Sequence, residues 1–377
     1  MKSYLENREQ FVSVSGKDSG KKILEFGVPQ GSILGPLLFI IYINDIPEIQ
    51  KFAKFILYAD DANIIVTGNN MKDIEEQVAK LSTALINWVD SNGLALNLKK
   101  TNYMIFSRQK IDNYNLNLVI GNTQIHRKTE ARFLGVIVDE KLNWTRHITA
   151  LKSKMSNYVG IMYKIKNLLP VRARLQIFHS FVQSHINFCS LVWGFSAKTN
   201  IDALFASQKK GMRAVMPGYV NFFYHDGTLP SHTKPYFNKF NVLTVQGVIA
   251  KNVQIFMNKV HNFPELLPIS VQETIASDAP RHGSTHETCA EWQKKYGSLC
   301  YNKSIFYKGP LISIDPNFSE LSTYANALSP NAYKNNTKRI LLKLQSAGGT
   351  DEWQMDNFPL YTIHGLRRSP RLNELEN

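Results

Sequence analysis

Two adjacent carboxylates, Asp60 and Asp61, sit at the middle of a strand-forming run, Phe55-Ile-Leu-Tyr-Ala-Asp-Asp-Ala-Asn-Ile-Ile-Val66. This constrains the fold more than any other feature of the chain. The flanks are β-branched or large and read as two buried strands, so Tyr58-Ala-Asp-Asp becomes the turn of a hairpin. An Asp-Asp pair by itself is ordinary turn chemistry. Between apolar strands it places two like charges beside a core, which is costly unless cations neutralise them. Mg²⁺ suits that role, since it takes one or two carboxylates and completes its shell with substrate phosphates. Two such ions clamping the attacking and leaving oxygens would carry out nucleotidyl transfer.

Upstream lies Gly27-Val-Pro-Gln-Gly-Ser-Ile-Leu-Gly-Pro36. The glycines allow close backbone approach, and Gln30 places a neutral amide at the loop tip. Ser32 is a suitable N-cap for a buried apolar helix over 33–46, with Pro36 in its first turn. Taken alone, this is a Gly/Pro turn before a core helix. Together with Tyr58-Ala-Asp-Asp some thirty residues on, it resembles the reverse transcriptases of non-LTR (LINE-type, jockey-like) retrotransposons, as palm motifs B and C.

The resemblance continues in order. Residues 71–92 read as an amphipathic helix with Ile74, Val78, Leu81, Leu85 and Trp88 on one stripe, closed by Asn92-Gly93. Leu94 to Phe106 is similar to motif D, whose lysine maps onto Lys100, with Lys99 beside it. Arg132 to Asp139 resembles motif E, the primer grip. The resemblance implies metal ligation by Asp60 and Asp61, and nucleotide or template contacts from Gln30, Gly31, Tyr58 and Ala59. It implies a pyrophosphate-side cation at Lys100 and a primer grip at Phe133, Leu134 and Gly135. The implied cofactor is Mg²⁺. The implied partners are an RNA template, a DNA primer or RNA–DNA duplex, and deoxynucleoside triphosphates.

From Trp144 the pattern becomes helical. Ile148, Leu151, Met155, Tyr158, Met162 and Ile165 make one apolar stripe, leaving Arg146, Lys152, Lys154, Lys164 and Lys166 for other faces. A second helix is expected from Val171 to Cys189, carrying Arg172 and Arg174, and Gln208 to Arg213 adds a third basic cluster. Lys and Arg number 13 against 12 acids in residues 1–110, 15 against 5 in 111–218, and 16 against 13 in 219–377. Most of the net charge of +14 is thus concentrated where phosphate neutralisation would give sequence-independent affinity.

The expected fold class is α+β: an incomplete polymerase palm (antiparallel sheet plus helices) over 1–143. A basic α-helical thumb follows over 144–218, then a mixed, mostly helical C-terminal extension over 219–377. No stretch suggests a membrane span, the three cysteines make no disulfide framework, and the opening is polar, so an intracellular protein of nucleus or cytoplasm is expected. His282, His286, Cys289 and Cys300 are zinc-ligand types, yet their spacing fits no finger class, and scattered loop residues are the reading.

The family's motif A carboxylate is missing from its expected place. Before Gly27 there are only Glu6, Glu9, Asp18 and Glu25, none in an apolar strand. The fingers also have no counterpart, and the expectation is a truncated polymerase fragment, inactive by itself and weak in binding Mg²⁺. The alternative is a domesticated, non-catalytic nucleic-acid-binding protein. Two further readings are an unfolded remnant and a group II intron maturase; the tail after Gln208 fits the LINE-type reading better.

Overall fold

The computed structural model describes residues 2–24, 27–29, 31–107, 111, 114–216, 233–262, 265 and 330–347. Gln30, the candidate zinc residues His282, His286, Cys289 and Cys300, and the basic tail 367–371 lie outside the described residues. Helices and small antiparallel strand pairs make up the architecture, compatible with an α+β polymerase-like fold. The chain divides into two compact units, Met1–Thr129 and Glu130–Asn377. This division places the Arg132–Asp139 segment with the helices, ahead of the 143/144 boundary read from sequence.

The first unit opens with α1 (Lys2–Leu5) and a nested ribbon in which β1 (Glu9–Gln10) pairs with β4 (Lys22–Ile23) and β2 (Ser13–Val14) with β3 (Lys17–Asp18). Next comes α2 (Leu34–Tyr42), followed by a single 3₁₀ turn, Ile46–Ile49. Ser32 Oγ accepts the Gly35 backbone N–H at 3.0 Å, as a cap should. The expectation of a buried helix reaching Ile46 does not hold: α2 ends at Tyr42, and Ile33, Leu37, Ile40 and Ile41 are exposed, Ile33 at 95%. Hydrophobicity set the helix but no described element covers that face.

β5 (Lys54–Tyr58) and β6 (Asp61–Ile65) form the expected hairpin, in register Phe55↔Ile64 and Tyr58↔Asp61. Among the described residues it is a two-stranded ladder rather than part of a wider sheet, and this corrects the reading of both strands as buried. Side chains alternate across a strand pair. Phe55, Leu57 and Ile64 pack with Ile46, Leu85, Val89 and Trp88 in a small core, while Ile56, Tyr58 and Ile65 stay exposed.

The helix α3 (Met71–Ser91) supplies the other side of that core, as its stripe predicts. Its cap is reciprocal: Asn70 Oδ1 accepts the Asp73 N–H at 2.9 Å and Asn70 Nδ2 donates to Asp73 Oδ2 at 2.8 Å. Gly93, at φ 60, ends it, and Leu94 N–H reaches back to the Val89 carbonyl at 2.9 Å. A short hairpin, β7 (Val119–Ile120) with β8 (Thr123–Gln124), completes the unit's strands.

The second unit starts with β9 (Glu130–Phe133) paired to β10 (Val136–Asp139) and runs into α4 (Thr145–Ile165). The apolar stripe of α4 is buried largely as read, except that Val159 takes the core position expected of Tyr158. The predicted second helix is α5 (Val171–Phe178), a π-helical segment (His179–Gln183) and α6 (Ser184–Asn187), ending two residues before Cys189. Then come α7 (Ser190–Trp193), α8 (Lys198–Val215), α9 (Lys234–Lys239), α10 (Val245–Asn262) and α11 (Pro330–Ala347). One core joins them, from Val136 through Met155, Phe178 and Trp193 to Ile249 and Leu341.

Three glutamines clamp the turn before α10. Gln208 Nε2 donates to Gln183 Oε1 and to the Leu243 carbonyl, both at 2.9 Å, and its Oε1 accepts Val245 N–H at 3.0 Å. Gln345 on α11 accepts Thr244 N–H at 3.2 Å and donates to the Val242 carbonyl at 3.1 Å. Buried main-chain groups need such partners, and the glutamines supply them where no helix or strand does. Gln208 is therefore a buried structural residue, not part of a basic surface.

Candidate functional site

The hairpin register leaves Ala59 and Asp60 as a two-residue loop between Tyr58 and Asp61. Ala59 sits at φ 50, a conformation uncommon for a residue with a Cβ. Both carboxylates are exposed, which corrects the expectation of charges held beside a core. The reason is the register: Asp61 pairs with Tyr58 on the strand face that carries Ile56 and Ile65, away from α3.

Of the other expected residues in this unit, Gly31 adopts φ 82 in the loop before α2. Lys100 is exposed in a turn whose N–H is held by the Asn97 carbonyl at 3.0 Å. Its neighbour Lys99, with Asn97, Asn102, Gln124, His126 and Lys128, lines an open pocket of about 740 Å³. Tyr58, Ala59, Asp60 and Asp61 thus share one turn, whereas Gly31 and Lys100 stand on separate loops. Of the acids before Gly27, Glu6, Glu9 and Asp18 are exposed, and Glu9 pairs with Lys21 at 3.0 Å.

A metal fit can be tested on donor chemistry. Two adjacent carboxylates at one exposed tip suit Mg²⁺ when phosphate oxygens and water complete its shell. No group of three or more His, Cys, Asp or Glu able to hold a metal ion occurs among the described residues. The tip brings two carboxylate donors together, fewer than such a group requires.

In the second unit, Leu134 and Gly135 form the two-residue loop of the β9–β10 hairpin, with φ 44 and φ 86. Positive φ at both positions is the type I′ pattern that suits strand twist. A Cβ on Gly135 would stand 3.1 Å from Phe188 Cε1. Gly135→Ala is therefore expected to cost about 1–2 kcal/mol, from left-handed strain and the displaced ring. A urea melt showing no change would contradict that placement.

The hairpin is fixed to α4 by two residues that sequence reading passed over. Asp139 Oδ1 accepts the N–H groups of Lys141 and Asn143, each at 3.1 Å, and Oδ2 accepts that of Trp144 at 2.9 Å. The clamped loop holds Leu142 at φ 50 and Trp144 at φ 62. His147 is 3% exposed, and its Nδ1 accepts the Ile137 N–H on β10 at 3.2 Å. Its Nε2 is buried without a hydrogen-bond partner, and the ring lies 6.1 Å from that of Trp193. Burial first, then Lys154 and Arg132, push this imidazole down to about 4. The sequence signal was an Asp before a short polar loop, which alone would read as any turn.

The expected backbone-binding cations are divided in their roles. Lys154 and Lys164 are exposed on α4, Lys152 and Lys166 half-buried. Arg146 is exposed but paired with Glu130 at 2.9 Å. Arg174 corrects the sequence reading: it is buried, donates to the Met216 carbonyl at 2.7 Å, and is lowered by that burial. It closes the end of α8 rather than facing a polyanion.

Residues 1–138 match the family described as reverse transcriptase (RNA-dependent DNA polymerase). The probable RNA-directed DNA polymerase from transposon BS of Drosophila melanogaster is 26% identical over 233 residues, covering 58% of this chain and 26% of that protein. The RNA-directed DNA polymerase from mobile element jockey of the same organism is 26% identical over 226 residues, covering 57% and 24%. The putative 115 kDa protein in its type-1 retrotransposable element R1DM is 28% identical over 171 residues, covering 44% and 17%. The chain spans about a quarter or less of the length of these relatives. No solved structure matches. Residues 1–138 thus match a reverse transcriptase family, and the chain as far as it aligns is similar to the RNA-directed DNA polymerases of non-LTR retrotransposons.

Proposed function

We propose that this chain contributes the metal-binding turn and a duplex-binding helical body to an RNA-directed DNA polymerase of a non-LTR retrotransposon. The observation that carries the reading is the exposed hairpin tip, Tyr58 to Asp61, within the segment matched by the family. The family uses divalent metal; here Asp60 and Asp61 would hold Mg²⁺, which neutralises charge developing on the transferred phosphate. Gly31, with Gln30, Tyr58 and Ala59, would border the incoming nucleotide or template. Lys100 would stand on the pyrophosphate side, and Phe133, Leu134 and Gly135 would bear on the primer. Lys152, Lys154, Lys164, Lys166 and Arg146 would face the phosphates of an RNA template paired to a DNA primer.

In this reading residues 1–143 act as part of a palm, 144–218 as a thumb and 219–377 as an extension of that helical body, working in nucleus or cytoplasm. By itself the 377-residue chain binds template–primer but does not extend it, because two carboxylates leave the metals short of ligands. The second reading, a non-catalytic nucleic-acid binder, draws on the same charge concentration and assigns the acids no role.

Binding and primer extension on a DNA primer annealed to RNA test this. The expected result is affinity falling steeply with salt, no extension with deoxynucleotides and Mg²⁺ or Mn²⁺, and Mg²⁺-assisted retention of nucleotide that Asp60→Ala or Asp61→Ala removes. Robust extension would refute the inactivity. Nucleic-acid binding with no response to either substitution, or to Mg²⁺, would favour the non-catalytic binder.

A further inference from the structure

A surface in the helical unit carries rings as well as charge. Tyr158 on α4 stacks on Phe181 of the π segment, centroids 4.9 Å apart at 30°. It also stacks on His185 of α6, at 5.6 Å and 21°. Stacked rings this close are ordinary inside a core, but this group reaches the surface: Tyr158 and His185 are half-buried and Phe181 is 44% exposed. Three residues beyond His185, Phe188 is also exposed and packs against Gly135 at the β9–β10 tip. Phe188, one turn along the chain from His185, thus sets this segment beside the hairpin turn.

The winding of the helix contributes to this. A π-helical turn takes in an extra residue and is favoured where a side chain must be re-aimed, frequently at functional sites. Here the π turn, His179–Gln183, contains Phe181. On its inner side the same segment buries Val182 and directs Gln183 to the clamp before α10, so the wide turn serves core and surface together.

Charge selects the occupant. From Lys141 to Met216 the chain has twelve Lys and Arg and one acid, Asp202. Lys154 adjoins the stack closely enough to press on His185, whose imidazole is lowered first by burial and then by that ammonium. Both causes disfavour a charge on this ring, which presents a flat face to Tyr158. A partly exposed ring stack with a lysine beside it, in a stretch of chain that is strongly basic, fits a polyanion that carries aromatic bases. Base–aromatic stacking needs unpaired bases, is sequence-tolerant, and combines with a basic track for the backbone. A protein partner would need acids to match these lysines and would have no special use for a stack.

We infer that the Phe181–Tyr158–His185 stack, with Lys154 beside it, is a platform for unpaired nucleotides of a nucleic-acid strand, next to the tip at Leu134 and Gly135. This rests on the helical body binding nucleic acid, and adds that it prefers an unpaired tail over a blunt duplex end.

The test uses the full chain and two ligands: a blunt duplex and the same duplex with a four-nucleotide overhang. Wild type is expected to bind the tailed ligand more tightly. Phe181→Ala should weaken it roughly tenfold, the usual size of one lost base stack, and leave the blunt duplex unchanged. Phe181→Trp should keep the preference, with indole fluorescence quenched by the overhang but not by an abasic overhang. Equal losses on both ligands, or none on either, would overturn the platform while leaving duplex binding intact. Loss of binding to anionic vesicles with nucleic-acid affinity unchanged would assign the stack to a lipid surface and overturn it too. Absence of any nucleic-acid binding by wild type would overturn the proposed function itself.

Discussion

Acidification from pH 6.5 to 4 is expected to remove about 3 kcal/mol of stability from the helical unit, through His147 alone. In the unfolded chain an imidazole takes a proton near 6.5; in the fold this one is held down to about 4. Between those values the unfolded state binds a proton that the native state refuses, so stability falls as pH falls. A gap of roughly 2.5 units corresponds to about 3 kcal/mol. Structure supplies the cause. The ring is buried, Nδ1 is occupied as an acceptor by the Ile137 N–H, and Lys154 and Arg132 oppose a second cation. Protonation would turn that acceptor into a donor facing a donor. Urea melts at about pH 7, 5.5 and 4.5, spanning the window between the two pKa values, measure the slope. His147→Asn keeps an acceptor near the Nδ1 position and cannot titrate, so it should start less stable at neutral pH and lose less on acidification. Identical slopes for the two proteins would show that His147 is not the group responsible.

Asp139→Ala is expected to be comparably severe, about 3 kcal/mol, read as a fall in Tm of roughly 5–10 °C. One carboxylate accepts three backbone N–H groups across Lys141 to Trp144. Hydrogen bonds to a charged acceptor contribute about 1.5–3 kcal/mol each, less when they share it. The loop they hold includes Leu142 and Trp144 at positive φ, which has no reason to persist once the acceptor is gone. Asp139→Asn should lose about half as much, since one oxygen can still accept. Hydrogen exchange at residues 141–144 would rise in both variants. Unchanged exchange with an unchanged Tm would mean that the loop is held by the helices and not by the carboxylate.

These two residues also show where sequence reading runs out. The β5–β6 hairpin was legible because β-branched flanks and an Asp-rich centre specify strand, turn, strand through local preferences. α3 was legible for the same kind of reason: its stripe, Asn70 and Gly93 each act within a turn or two. What depends on distant partners was not. The apolar residues of α2 predicted burial, but hydrophobicity states only a preference, and no described element covers the outer face that carries Leu37 and Ile40. Arg174 counted as surface charge until the Met216 carbonyl, 42 positions along the chain, claimed it. Val159 displaced Tyr158 from the core because the ring found Phe181 and His185 instead. At the site itself, the order of residues placed Asp60 and Asp61 on one turn, while their exposure followed from a register that sets Asp61 on the face away from α3.

The wide turn at His179–Gln183 has a consequence for how this protein can change over evolutionary time. Each residue of an α-helix advances the chain by about 100° around its axis. Deleting one residue there would restore regular winding and keep the flanking turns in phase, but side chains inside the segment would be re-aimed by about that angle, so that Phe181 on Tyr158 and Gln183 on the Leu243 carbonyl are disturbed together. Surface and interior are geared to the same irregularity, so neither can drift without the other.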